Sequence, residues 1–243
     1  MIVKSQVKYI QSLGQKKYRD EDAVFVAEGP KLVKELLNAD NIIPVNIFGL
    51  DEWIKTNDAI LNKGQVVEVS ESELDRISLF TSPNQVLGIF RKPSFSDLKL
   101  EGKISLVLDN IQDPGNLGTI VRTADWFGIE YIICSEDSAD VFNPKVVQAT
   151  MGSIARVQVI YRSLPELLRD HSHIEQYATA LEGTDVTLMK PIREGLIIIG
   201  NESRGISEEV FRTTTQKITI AKKGKAESLN AAVAAGIVLS HVR

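Results

Sequence analysis

Three stretches of this chain combine glycine, short amide and hydroxyl side chains, and charge in a way that suits a polar ligand. They are Asp109-Asn110-Ile111-Gln112-Asp113-Pro114-Gly115-Asn116-Leu117-Gly118, Gly200-Asn201-Glu202-Ser203-Arg204-Gly205-Ile206 and Ala221-Lys222-Lys223-Gly224-Lys225-Ala226-Glu227-Ser228-Leu229-Asn230. Glycine lets backbone come close to a bound molecule, and Asn and Ser supply short donors and acceptors where helices begin. None of the three is a standard nucleotide cradle. G-x-G-x-x-G is absent after every expected strand. The Walker pattern fails because Gly224-Lys225 is followed by Ala226, with Thr219 where its first glycine belongs. His171, His173 and His241 fall outside these stretches, so no Ser-His-Asp or Cys-His set assembles. Dehydrogenase, P-loop ATPase and simple hydrolase chemistry thereby lose most of their support.

For three distant loops to act together, a sheet must bring them to one edge. Apolar runs at Ile104–Leu108, Leu196–Ile199 and Ile218–Ile220 each precede one of the loops, and further strands are expected at Tyr131–Cys134, Arg156–Ile160 and Tyr177–Leu181. Leu117, Ile120, Val121, Ala124 and Phe127 recur at helical spacing. Pro144–Thr150 and Leu164–Arg169 read as short helices, and a last helix is expected from Ser228. Strands alternating with helices imply an α/β fold with a parallel sheet covered on both faces. In such sheets ligands bind beyond the carboxyl ends of the strands, where these loops lie.

Residues 21–93 read as a separate, smaller α/β unit. Ala23–Val26, Pro44–Leu50, Gln65–Val69 and Val86–Phe90 are expected strands. Glu28-Gly29-Pro30 opens a helix whose apolar positions are Leu32, Val33, Leu36 and Leu37, and Trp53–Leu61 reads as another. Ser70-Glu71-Ser72-Glu73 before Leu74 resembles a capped helix start. Pro93-Ser94-Phe95-Ser96-Asp97 marks a linker. The expected organisation is a basic segment over 1–20, a small domain over 21–93, a linker over 94–103 and the main domain over 104–243.

Composition narrows the setting. A chain of 243 residues, 43% hydrophobic with 16 glycines and 8 prolines, is globular, with room for two domains. No run approaches the ~20 apolar residues that span a bilayer, and the opening MIVKSQVKYI lacks the apolar core of a signal peptide. Cys134 is the only cysteine, so no internal disulfide forms, and the histidines have no cysteine partners at zinc spacing. A reducing cytoplasmic compartment, no membrane association and no structural metal are therefore expected. The net charge of −4 argues against a chain coated in basic surface, but a nucleic-acid enzyme need be basic only locally. Residues 1–19 hold Lys4, Lys8, Lys16, Lys17 and Arg19 and no acid; Lys222, Lys223 and Lys225 form a second cluster. On composition alone these are a solvated tail and a solvated loop.

The stretch from Asp113-Pro114-Gly115-Asn116-Leu117-Gly118 through Arg122-Thr123-Ala124 to Gly128 resembles the first motif of the SpoU family. Gly200-Asn201-Glu202-Ser203-Arg204-Gly205 resembles its second, and Ile220 to Asn230, ending Ser228-Leu229-Asn230, its third. The motifs stand in the family's order across 104–243. Ala221 and Lys222 depart from the usual Pro and Met. The resemblance implies a SPOUT-type, trefoil-knotted catalytic domain that forms a homodimer and transfers methyl from S-adenosylmethionine to a ribose 2′-hydroxyl of RNA. More weakly, 21–93 resembles the family's substrate-binding domain, which has a ribosomal-protein-like α/β fold. That extra domain favours ribosomal over transfer RNA by analogy. A non-catalytic RNA-binding or ribosome-assembly factor on the same scaffold is the alternative.

The residues bear on this expectation one by one. Arg122 lies two positions past Ile120 and points away from the helix's apolar stripe. The resemblance makes it the catalytic residue. A guanidinium is a poor base, so it either accepts the hydroxyl proton in a special environment or binds the adjacent phosphate. Asn116 is expected to begin its helix, with Glu202 pairing with Arg122 or holding the loop. Ser228 and Asn230 are expected to start the last helix, and the resemblance sets them beside cofactor and ribose. It also assigns Leu181, Gly200, Ile220 and Leu229 to the adenosine slot. Lys16, Lys17 and Arg19 are the expected RNA contacts. The helix after Leu229 is apolar on nearly every face and must be buried all round.

Overall fold

The computed structural model describes residues 2–61, 65–95 and 97–242, with Gln65 by its backbone alone. The chain forms two compact units. The first comprises residues 1–95 and 140–155, the second residues 96–139 and 156–243.

The first unit opens with helices α1 (Lys4–Ser12) and α2 (Lys16–Glu21), followed by β1 (Val24–Glu28), α3 (Pro30–Leu37), β2 (Pro44–Gly49), α4 (Asp51–Asn57), β3 (Gln65–Glu68), α5 (Glu71–Ile77) and β4 (Val86–Arg91). The strand order is β1-β4-β2-β3, with β4 antiparallel to both neighbours and β2 parallel to β3. Leu32, Val33, Leu36 and Leu37 of α3 are all buried, as their spacing predicts. Ser70 accepts the Glu73 N–H while the Glu73 carboxylate accepts the Ser70 N–H, closing a capping box on α5.

The amino terminus is not a solvated tail. Ile2, Ile10 and Leu13 enter a core with Val24, Val26, Leu74, Ile77 and Leu87. Their spacing carried that signal, beneath the lysines that dominate the segment. Arg19 is 1% exposed. Its guanidinium donates to the Leu13 carbonyl at 2.8 Å and to the Asp140 carboxylate at 2.6 Å. The expectation that Arg19 meets RNA is therefore corrected: it is a buried charge held by an acid 121 positions away, a partner that local sequence does not reveal.

The second unit runs β5 (Ile104–Asp109), α6 (Pro114–Trp126) and β6 (Tyr131–Cys134). Helix α7 (Pro144–Thr150) belongs to the first unit. The second then continues with β7 (Gln158–Tyr161), α8 (Leu164–Asp170), β8 (Gln176–Asp185), β9 (Gly195–Gly200), α9 (Glu208–Phe211), β10 (Gln216–Thr219) and α10 (Ala231–Val242). Its sheet has the order β10-β8-β9-β5-β6-β7, and every neighbouring pair is parallel. The central strand β5 is buried along its whole length, the environment its unbroken apolar run predicts. Asp140–Ala155 joins the first unit because Phe142 packs on Phe25 with ring centroids 5.4 Å apart, while Val146 and Val147 are fully buried. Helix α10 starts at Ala231, three residues later than expected. It is buried on one face only, with Val233 half exposed.

Strand β1 ends on Glu28, 4% exposed, whose carboxylate accepts the Ser78 hydroxyl at 2.6 Å and the Leu79 N–H at 2.7 Å. Burial pushes its pKa up, and the two hydrogen bonds draw it only part of the way back. The folded carboxyl therefore holds its proton to higher pH than the unfolded one. Its contribution to stability is full below the usual carboxylate range and is lost as pH rises through the raised value. Glu28→Gln keeps an acceptor for Leu79 and removes the charge. Urea unfolding should show the variant gaining on the parent as pH rises above the usual carboxylate range; a difference that does not change with pH would contradict this account.

Candidate active site

The parallel sheet brings the carboxyl ends of β5, β9 and β10 to one edge, and the three glycine-rich loops leave from there. Asp109, the last residue of β5, is buried and accepts the Ser207 N–H at 2.7 Å. Asn110 follows in the left-handed region (φ 59°), and its carbonyl accepts the Asn201 side-chain amide at 2.9 Å. The first two loops are thus fastened to each other at their roots.

The second loop is a tight turn. Asn201 and Gly205 exchange backbone hydrogen bonds of 3.0 and 2.8 Å, and the Asn201 side chain accepts the N–H groups of Ser203 and Arg204. The turn folds back over Gly200: a Cβ there would lie 2.3 Å from the Gly205 carbonyl carbon and from the Ile206 nitrogen. Glycine at 200 is thus required by the turn's own backbone.

Helix α6 is capped by Asp113, which accepts the Asn116 N–H at 2.8 Å. Asn116 is therefore not the helix start. It sits inside the first turn, where its side chain is released for other partners. Asn116 Nδ2 donates to Glu202, and Asn230 Nδ2 donates to Asn116 Oδ1 at 2.8 Å. Asn230 Oδ1 in turn accepts the N–H groups of Ala232 and Val233, at 3.0 and 3.3 Å, at the start of α10. The direction of this relay is fixed from its end. Backbone N–H groups only donate, so Asn230 must present oxygen to them and nitrogen to Asn116. Asn116 then presents nitrogen to Glu202, and an ionised carboxylate only accepts. One residue from each loop is thereby locked into a single polar chain.

Arg122 lies on α6 and is exposed, and its side chain makes no hydrogen bond or ion pair among the described residues. Glu202 does not pair with Arg122, the first of its two expected roles; its partner is the Asn116 amide. Ser228 is exposed and lies outside any helix. Lys16 and Lys17 are exposed on α2 of the first unit, and the Lys17 ammonium stands 5.9 Å from the Tyr18 ring centre.

Of the adenosine-slot residues of the sequence reading, Leu181 lies on β8, Gly200 ends β9, and Ile220 and Leu229 lie on the loop that follows β10. Opposite Lys217–Ile218 the register of β8 jumps from Ala178 to Thr184, so residues 179–183 bow outward. Leu181 on this bow is 80% exposed, and Leu229 is 45% exposed. Gly183 permits the bow's return, since a Cβ there would meet the Lys217 carbonyl oxygen at 2.6 Å. The backbone of residues 221–229 makes no hydrogen bond among the described residues. Exposed apolar side chains beside unused backbone donors and acceptors fit the needs of an adenosine group. The bow escaped the sequence reading, although Leu-Glu-Gly inside an apolar strand was a cue to it. Short α9 escaped it too.

Among the described residues no group of three or more His, Cys, Asp or Glu side chains could hold a metal ion, and no helix is long and apolar enough to cross a membrane.

Residues 103–240 match the model of the SpoU rRNA Methylase family, and residues 4–88 match that of the MRM3-like substrate binding domain. The 23S rRNA (guanosine(2553)-2'-O)-methyltransferase RlmP of Bacillus subtilis is 33% identical over 98% of this chain and 96% of its own. A structure from Porphyromonas gingivalis assigned to the TrmH family of RNA methyltransferases superposes with a TM-score of 0.88 at 37% identity. It covers 100% of this chain and 98% of that one. The AdoMet-bound rRNA methyltransferase of Sinorhizobium meliloti superposes with a TM-score of 0.87 at 32% identity, over 100% of this chain and 95% of that one. The parallel sheet, the ordered loops joined by their amide relay and these matches have one meaning: the chain belongs to the SpoU rRNA methylase family.

Proposed function

We propose that this enzyme methylates the 2′-hydroxyl of a ribose in ribosomal RNA, with Arg122 acting on the target nucleotide. The observation that carries the reading is the Glu202–Asn116–Asn230 relay, which gathers three chain-distant loops around a helix bearing an uncommitted arginine. S-adenosylmethionine supplies the electrophilic methyl group when bound. Leu181, Ile220 and Leu229 would flank its adenine, and the backbone of 221–229 would satisfy its polar edge.

Methyl transfer is an in-line displacement, so the protein's task is alignment. Arg122 binds the phosphate beside the target ribose through its forked guanidinium and thereby orients the hydroxyl. Glu202, held by Asn116, keeps the turn after β9 in place. In the first unit Lys16 and Lys17 remain the proposed RNA contacts. The enzyme is placed in the cytoplasm, where Cys134 stays an inert thiol: burial pushes its pKa up and keeps it protonated.

The active form is proposed to be a homodimer. Trp126 on α6 is 85% exposed and Val233 on α10 is 50% exposed, and these two helices pack together. Exposed apolar side chains on neighbouring helices suit contact with a second copy. Sedimentation should give a dimer at micromolar concentration, and Val233→Glu should shift it to monomer. A parent chain that sediments as a monomer at that concentration overturns the proposal.

Two substitutions test the site. Arg122→Ala should lower turnover on ribosomal RNA by about 10²-fold or more through lost positioning, with cofactor affinity within about twofold by calorimetry; near-normal turnover removes Arg122 from the chemistry. Gly200→Ala should already weaken cofactor binding by more than about tenfold, a loss of at least about 1.4 kcal/mol, because the added methyl group collides with the backbone of its own turn. Parental affinity in that variant would separate the turn from the cofactor.

A further inference from the structure

Among the described cations of the second unit, Lys103 pairs with Glu130, Arg156 with Asp125 and Arg212 with Glu208, and Lys217 lies 4.6 Å from the Phe211 ring centre. The loop between β10 and α10 concentrates three lysines within four positions. Lys222, Lys223 and Lys225 are exposed and make no hydrogen bond, ion pair or ring contact among the described residues. The acids nearby are Glu227 in the same loop and Asp185 at the end of β8, whose pKa is lowered chiefly by its bonds to Thr187 and to a lesser degree by His241 and Lys223. Arg204, at the tip of the neighbouring turn, is likewise exposed and without a side-chain partner among the described residues. The two loops are joined through Glu202, Asn116 and Asn230, and α6, which carries Arg122, is part of the same chain of contacts.

We propose that Lys222, Lys223 and Lys225 form a phosphate-binding site for the RNA backbone flanking the methylated nucleotide, carried on the same loop that closes over the cofactor. Three physical points support it. A chain of net charge −4 attracts a polyanion only through local concentrations of positive charge, and this is one. The site lies at the sheet edge where the reaction takes place, so contacts there fix the register of the target nucleotide. The loop is anchored near its ends, by the Thr219 hydroxyl on the Leu181 carbonyl and by Asn230 on Asn116, and its intervening backbone is free to adjust to a phosphate backbone. One element then touches both substrates, and binding of either reduces the freedom that the other must remove.

The proposal rests on the RNA-methylation reading, so the test separates the two. The probe is protein-free large-subunit ribosomal RNA, titrated from about 50 mM to about 200 mM salt against the full-length parent and the triple variant Lys222→Ala, Lys223→Ala, Lys225→Ala. Each phosphate that is no longer neutralised should flatten the slope of log affinity against log salt by roughly 0.7–0.9. The triple variant should therefore lose about two to three units of slope and, at saturating S-adenosylmethionine, show a raised KM for RNA. Replacement of all three by Arg should restore slope and KM. Parental slope and KM in the alanine variant overturn the proposal, and so does failure of arginine to restore them. A parent that binds cofactor and transfers no methyl to RNA fails the underlying reading instead.

Discussion

The catalytic unit depends on one polar chain that can be assembled in only one sense. The N–H groups at the start of α10 must be accepted, the Glu202 carboxylate must be donated to, and two asparagines fill the space between. Residues 86 and 114 positions apart are thereby held within hydrogen-bond distance of Asn116. Reversing either amide would set two donors or two acceptors face to face. The relay thus gives a rigid reference for Arg122, which lies on the same helix as Asn116.

The sheet makes that relay possible. With all six strands parallel, every carboxyl end falls on one edge, and loops far apart in sequence become neighbours without a contact of their own to bring them there. The core supplies the stiffness: β5, β6 and β9 are buried almost throughout, so the loop roots have little freedom. The edge then carries the polar residues that the core leaves alone. Glycine serves this division at 200 and 183, where backbone passes so close to backbone that any side chain would collide.

Much of this was legible in the sequence because it is local. Helical spacing in 117–127, the capping box at Ser70 and the apolar run of β5 each declare themselves within a few residues, and each formed as read. The ordered motifs placed the three loops together. What sequence could not declare were pairings set by tertiary approach. Asn116 reads as a cap, yet Asp113 takes that task and frees Asn116 for Glu202. Arg19 reads as a surface cation, yet Asp140 and the Leu13 carbonyl draw it inside. The expected strand stops at Leu181, inside the bow of β8, because a register jump depends on the neighbouring strand as much as on its own residues.

The placement of Asp140–Ala155 bears on the order in which the protein can be made. The first unit needs Asp140 to neutralise Arg19, Phe142 to cover Phe25, and Val146 and Val147 to fill space. A nascent chain that has emerged only as far as Phe95 holds the arginine without its carboxylate, and an unpaired charge in that position costs several kcal/mol. The unit that comes first in sequence is therefore not the first to reach its final form. It waits until β5, α6 and β6 have also been synthesised, so assembly proceeds by return of a later segment to an earlier one.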